Sequence, residues 1–124
     1  MELLVTFEDI KNELDIDIGK ELGLSPRAVN NWLEDQQDNV LTYIAGYAYN
    51  GMSQVQRYLN VPEYAAVIKQ AIVKQIAYLA ANKWVEPDML SAVPGAELTP
   101  FIAPRAAKLL LTHGLLYTGN IVCL

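Results

Sequence analysis

The stretch PEYAAVIKQAIVKQIAYLAANKW, residues 62–84, most restricts the folds open to this chain. Read at 3.6 residues per turn, it is apolar around most of its circumference. It spares mainly Glu63, Lys69, Gln70, Lys74 and Gln75. A helix of that kind needs cover on nearly every side, so it is either central to a bundle or shared between subunits. It is not expected to span a membrane. Lys74 and Gln75 interrupt the run well short of the roughly 20 apolar residues a span requires.

Upstream segments offer that cover. TFEDIKNELD predicts a short helix with Thr6 as N-cap, Asp9 at the capping-box distance, and Phe7, Ile10 and Leu14 on one face. Ile18 to Leu22 predicts a second, which Gly23 can end in the left-handed region. Ser25-Pro26 is a hydroxyl cap followed by a proline at the first helical position. From there Val29, Trp32, Leu33, Gln36, Val40, Tyr43, Ile44 and Tyr47 recur at steps of three and four. They predict one amphipathic helix from about Pro26 to Ala48. Asn50-Gly51 breaks it, SQVQRYL predicts a short helix, and Asn60 is expected to cap the long helix that holds Pro62 in its first turn.

Downstream, VEPDMLSAVPGAELTPFIAP reads as a long Pro-rich loop. PRAAKLLLTH is a last helix with Gly114 past its end, and LLYTGNIVCL is extended and apolar. The expected fold is therefore all-α: a small helical bundle with two long core helices, a long Pro-rich loop and an extended C-terminal tail. A single domain is expected over 1–124. It divides into acidic N-terminal helices (1–25), core helices (26–84), loop (85–103), and last helix with tail (104–124).

At 52% hydrophobic and 19% charged, the chain is not generally disordered. Its net charge of −5 is unevenly spread. Residues 1–50 hold ten acids against Lys11, Lys20 and Arg27, a balance of −7, which leaves +2 for the remainder. An acidic end and a mildly basic end suit stacking against a charged neighbour; a solvated acidic face is the simpler alternative. The opening MELLVTFED has no basic region and no long apolar run, so no secretory signal is expected in it.

DIGKELGLSPRAVNNWLED has the pattern of a helix-turn-helix. Ile18, Leu22, Leu24, Val29 and Trp32 fall at buried positions, Gly19 at the small position and Gly23 at the turn. If this corner reads DNA, Arg27, Asn30 and Asn31 would make the contacts. Glu34, Asp35 and Asp38 follow them directly, so a basic footprint is missing and approach to a polyphosphate is repulsive.

Nothing in the residue pattern points to an enzyme. The single Cys123 and single His113 cannot hold zinc alone, no Gly-rich phosphate cradle occurs, and Ser25, Ser53 and Ser91 lack a nucleophile-elbow context. No catalytic residue, cofactor or metal is expected. What stands out is apolar surplus. Phe101, Leu115, Leu116, Tyr117, Ile121, Val122 and Leu124 are the expected protein-interface residues. Strand-like alternation in the tail fits either a neighbour's edge or a return onto the chain's own helices. The expected attachment elements are the loop from Val93 to Pro100 and the tail from Leu115 to Leu124.

Three stretches carry a family resemblance. TFEDIKNELDID, VNNWLEDQQDNVLTYI and PEYAAVIKQAIVKQIAYLAANKW resemble the opening helix and the two core helices of tailed-phage head–tail connector (adaptor, or head-completion) proteins. Together they span about half the chain. The resemblance implies a structural virion protein, put together in the host cytoplasm as a homo-oligomeric ring. That ring would dock on the portal protein, meet a tail or stopper protein, and pass DNA without binding it specifically; no membrane is involved. Glu34, Asp35 and Asp38, or the N-terminal acids, would then face the channel. The alternative is a helix-turn-helix DNA-binding regulator using Arg27, Asn30 and Asn31.

Overall fold

The computed structural model describes residues 3–84 and 102–117. Within them the chain is all-α, with seven helical segments. These are α1 (Phe7–Leu14), α2 (Ile18–Leu22), α3 (Pro26–Leu41), α4 (Tyr47–Asn50), α5 (Met52–Leu59), α6 (Pro62–Ala81) and α7 (Pro104–Thr112). The two long core helices are α3 and α6. The Pro-rich loop, including Phe101, and the tail beyond Tyr117, including Ile121, Val122 and Leu124, lie outside the described residues.

The helix starts follow local chemistry. Thr6 accepts the N–H of Asp9 at 3.3 Å, and the Asp9 carboxylate accepts the N–H of Thr6 at 2.9 Å, a reciprocal capping box. Asp17 caps α2 through Lys20 N–H, and Ser25 caps α3 through Ala28 N–H. The start of α6 differs from expectation. Its N-cap is Val61, which makes no side-chain bond, while Asn60 closes α5. Pro62 at the first helical position explains why no cap side chain is required: its nitrogen has no proton to satisfy.

Helix α6 is the central element. Val67, Ile68, Ala71, Ile72, Val73, Ile76 and Leu79 are buried along it, and α1, α3, α5 and α7 all pack on it. The apolar surplus seen in the sequence is thus taken up inside the subunit as far as the described residues go. Val61, Tyr49, Leu111 and Tyr117 are the large hydrophobic side chains left exposed among them.

Gln75, expected on the spared face, is instead fully buried. Its side-chain N–H donates to Gln36 Oε1 at 3.2 Å, and its Oε1 accepts the backbone N–H of Ala103 at 2.6 Å. One amide therefore ties α6 to α3 and to the residue that opens α7. Gln37, also buried, accepts the N–H of Leu4 at 2.7 Å and pins the segment before α1. A polar group in such a place is retained because its partners are built around it.

The helix expected to run to Ala48 stops at Leu41. The backbone beyond it is used differently. Ala45 donates to the Leu115 carbonyl and Tyr117 donates to the Tyr43 carbonyl, both at 2.7 Å, around an antiparallel bridge between Ile44 and Leu116. Gly46, at φ +86°, then turns the chain into α4. The start of the tail has therefore returned onto its own subunit. Gly114, at φ +71°, makes the reversal after α7. Leu115 and Leu116 are buried in the chain's own core, so these two expected interface residues serve packing.

Two aromatic pairs close the periphery. Tyr58 and Tyr64 meet edge-to-face at 5.7 Å, and Tyr58 Oη donates to the Ala45 carbonyl at 3.2 Å. Trp84 meets Trp32 edge-to-face at 5.7 Å. Its backbone is left-handed, at φ +65°, and its N–H reaches the Leu79 carbonyl at 2.6 Å.

Gln75→Leu is expected to lower the unfolding free energy by about 2–3 kcal/mol in urea titration, because it strips partners from two buried polar groups. Gly46→Ala is expected to cost about 1–2 kcal/mol. It meets both the positive φ and a new Cβ 2.8 Å from Gln54 Cγ, whereas Gly23→Ala meets only the φ and should cost less.

Candidate functional site

The corner formed by α2 and α3 is built as the sequence pattern implies. Ile18 and Val29 are buried, and Leu22, Leu24 and Trp32 are partly buried against the core. Gly19 is small for a reason: a Cβ there would lie 3.2 Å from the Leu24 carbonyl oxygen and 3.4 Å from Val29 Cγ2. Beside it lies an open cleft of about 410 Å³, bordered by Phe7, Asp17, Lys20, Pro26 and Asn30.

Arg27, Asn30 and Asn31 are exposed at the start of α3, where a recognition helix would present them. The same outer face continues into Glu34, Asp35 and Asp38 at helical spacing. A duplex laid along Asn30 and Asn31 would therefore also meet three carboxylates. The corner is present, but its electrostatics oppose a phosphate backbone.

The acids on α3 are also badly placed for the helix itself. Glu34 and Asp38 are four apart, Asp35 and Asp38 three apart, and each like-charged pair destabilises a helix. Asp38 sits in the last turn, at the negative end of the helix dipole. No cation occupies that turn, and no acid occupies the first. Asp38 Oδ1 is buried and finds no hydrogen-bond partner among the described residues. Burial, and then the charges of Glu34 and Asp35, push the Asp38 carboxyl above the ordinary carboxylate range.

A second surface, with the opposite sign, lies across α6. Lys74 from α6 and Arg105 and Lys108 from α7 line a cleft of about 360 Å³ with Leu109 and Thr112. No acid lines it. An adjoining cleft of about 490 Å³ shares Lys74 and Arg105 and is bordered by Gln70, Val73, Tyr78 and Glu13. The positive balance of this half is visible in the sequence, but its location is not. The Arg105–Lys108 spacing of three was the available signal, but Lys74 joins them only through the packing of α7 on α6.

Of the expected interface residues, Tyr117 alone is exposed among those described, at 38%. His113 is exposed, with Nδ1 3.1 Å from the Leu109 carbonyl at the end of α7. Cys123 lies outside the described residues. Among the described residues no group of three or more His, Cys, Asp or Glu side chains is placed to hold a metal, and no helix is long and apolar enough to cross a membrane. Comparison with protein-family models, curated proteins and solved structures finds no match to the chain.

Asp38→Asn is expected to stabilise the monomer at pH 7 by roughly 0.5–1 kcal/mol, since it relieves two like-charge contacts. The raised folded-state value means the ionised carboxyl costs stability only at higher pH. The gain should therefore shrink as pH falls and vanish below the ordinary aspartate value of 3.8, where both side chains are neutral. Chemical denaturation across that range reads it directly.

Proposed function

We propose that this chain is a structural subunit of a tailed-phage head–tail connector, working as a ring between the portal and the tail. The observation that carries the reading is the segregation of surface charge on a closed all-α fold. An acidic face on α3 and a basic cleft between α6 and α7 lie on a subunit whose described helices bury a common core. Such a surface suits a protein whose work is to dock. The resemblance of the opening and core helices to connector proteins supports the same reading.

In this proposal the subunit performs no chemistry. It docks on the portal, offers a surface to a tail or stopper protein, and extends a passage for DNA. An acidic passage wall lets a polyphosphate slide without a grip. Glu34, Asp35 and Asp38 were one set expected there, with the N-terminal acids as the other. A buried carboxylate oxygen in search of a donor is poorly explained by a water-filled lumen. The proposal therefore gives the wall to the exposed Glu8, Asp15 and Glu21.

A second reading, a DNA-binding regulator, is favoured by the exposed Arg27, Asn30 and Asn31 beside the Gly23 corner. The two separate cleanly. Mixed with the portal oligomer encoded by the same genome, the chain is expected to form a collar visible in electron micrographs. It is expected to give no salt-dependent mobility shift with duplex DNA. A genome without a portal gene, or a shift abolished by Asn30→Ala with Asn31→Ala, would overturn the connector in favour of the regulator.

A further inference from the structure

We infer that the return of residues 115–117 onto residues 43–45 is a latch, and that drawing it away lets α3 and α4 fuse into one helix over residues 26–50. This is a property of the fold and does not rest on the connector reading.

The two latch bonds occupy the groups that a continuing helix would use. In an α-helix the N–H of Ala45 donates to the carbonyl of Leu41, and the carbonyl of Tyr43 accepts from Tyr47. Here the Ala45 N–H donates to the Leu115 carbonyl instead, and the Tyr43 carbonyl accepts from Tyr117, both at 2.7 Å. The displaced helical partners take tighter turns. Ile44 donates to the Leu41 carbonyl at 3.1 Å, and Tyr47 donates to the Ile44 carbonyl at 3.0 Å. Bridge and helix therefore compete for the same backbone atoms, and on this stretch one excludes the other. A fused helix would leave none of these atoms without a partner.

Much of the stretch is helical already. Thr42 has φ −63° and ψ −19°, Tyr43 donates to the Val40 carbonyl at 3.1 Å, and α4 resumes at Tyr47. The apolar spacing of α3 runs on through Tyr43, Ile44 and Tyr47. Between α3 and α4 only Gly46, at φ +86°, lies in the left-handed region, and a glycine reaches helical angles about as readily. Against fusion stand the burial of Leu115 and Leu116 and the bond from Tyr58 Oη to the Ala45 carbonyl at 3.2 Å. They make the latched form the resting one. Residues 115–117 are in this way linked to the length of α3 and to the direction in which α4 and α5 leave it.

The test uses the full chain and NMR. Backbone carbon shifts over residues 42–46 report their conformation, and relaxation dispersion reports a minor state of the unaltered chain. Tyr117→Pro removes the N–H that the Tyr43 carbonyl accepts and keeps Leu115 and Leu116. Gly46→Ala disfavours the reversal, since a Cβ there lies 2.8 Å from Gln54 Cγ, and it favours the helix. The unaltered chain is expected to exchange with a minor state whose shifts over 42–46 are helical. Tyr117→Pro should raise the population of that state roughly 5-fold, and the double variant should raise it on the order of 10-fold or more. Protected amides in α6 show that each variant is folded. Shifts over 42–46 that turn coil-like once the latch is cut overturn the inference, as do shifts that keep their latched values in the double variant. If a variant does not fold, the unaltered chain decides: a coil-like minor state, or no exchange over 42–46, overturns the inference. None of these outcomes bears on the connector reading.

Discussion

One buried side-chain amide holds the arrangement together. Gln75, in the middle of the central helix, gives a proton to Gln36 on α3 and takes one from the backbone of Ala103, where α7 begins. Packing of aliphatic side chains is tolerant of small slides between helices. Two hydrogen bonds from one fully buried amide are not, because a displaced partner leaves a polar atom dry. The amide thus fixes the register of α3 and α7 on α6. That register decides where the surface charges come to lie: Lys74 is one residue from Gln75, and Asp38 is two from Gln36.

The surface reflects the same logic in reverse. Inside, polar groups have been given partners; on α3, the Asp38 carboxylate oxygen has none among the described residues. Natural sequences are mostly consistent from local preference to global fold, and departures from that consistency gather at sites of function. Asp38, in the last turn of α3 with acids three and four positions before it, is such a departure. In its ionised form Asp38 costs the subunit stability. The basic cleft between α6 and α7 carries charge of the opposite sign.

Much of the fold was legible in the sequence because it is written in local chemistry. Thr6 with Asp9, Ser25 with Pro26, and Gly23 each declared a helix boundary by the atoms they contribute. The apolar girth of residues 62–84 declared the central helix. What was not legible depended on long-range partners. Between Leu41 and Ala48 Gly46 is the one helix-breaking residue, and a lone glycine does not by itself end a helical pattern. The helix ends because residues 115–117 claim the backbone of Tyr43 and Ala45, seventy or more positions away. Gln75 reads as a solvent-facing residue until Gln36 and Ala103 are placed around it. The acids of the candidate surface were visible as a run, and the Arg27, Asn30 and Asn31 set as a motif. The basic cleft was not, since its three cations come from two helices separated by a long connection.

The claim that the Gln75 amide sets the register of α3 and α7 on α6 is most directly tested by native-state hydrogen exchange of Gln75→Leu beside the parent chain. The account predicts that the Ala103 amide, which donates to Gln75 in the parent, loses its protection while the amides of α1 keep theirs. Unchanged protection at Ala103 would contradict it.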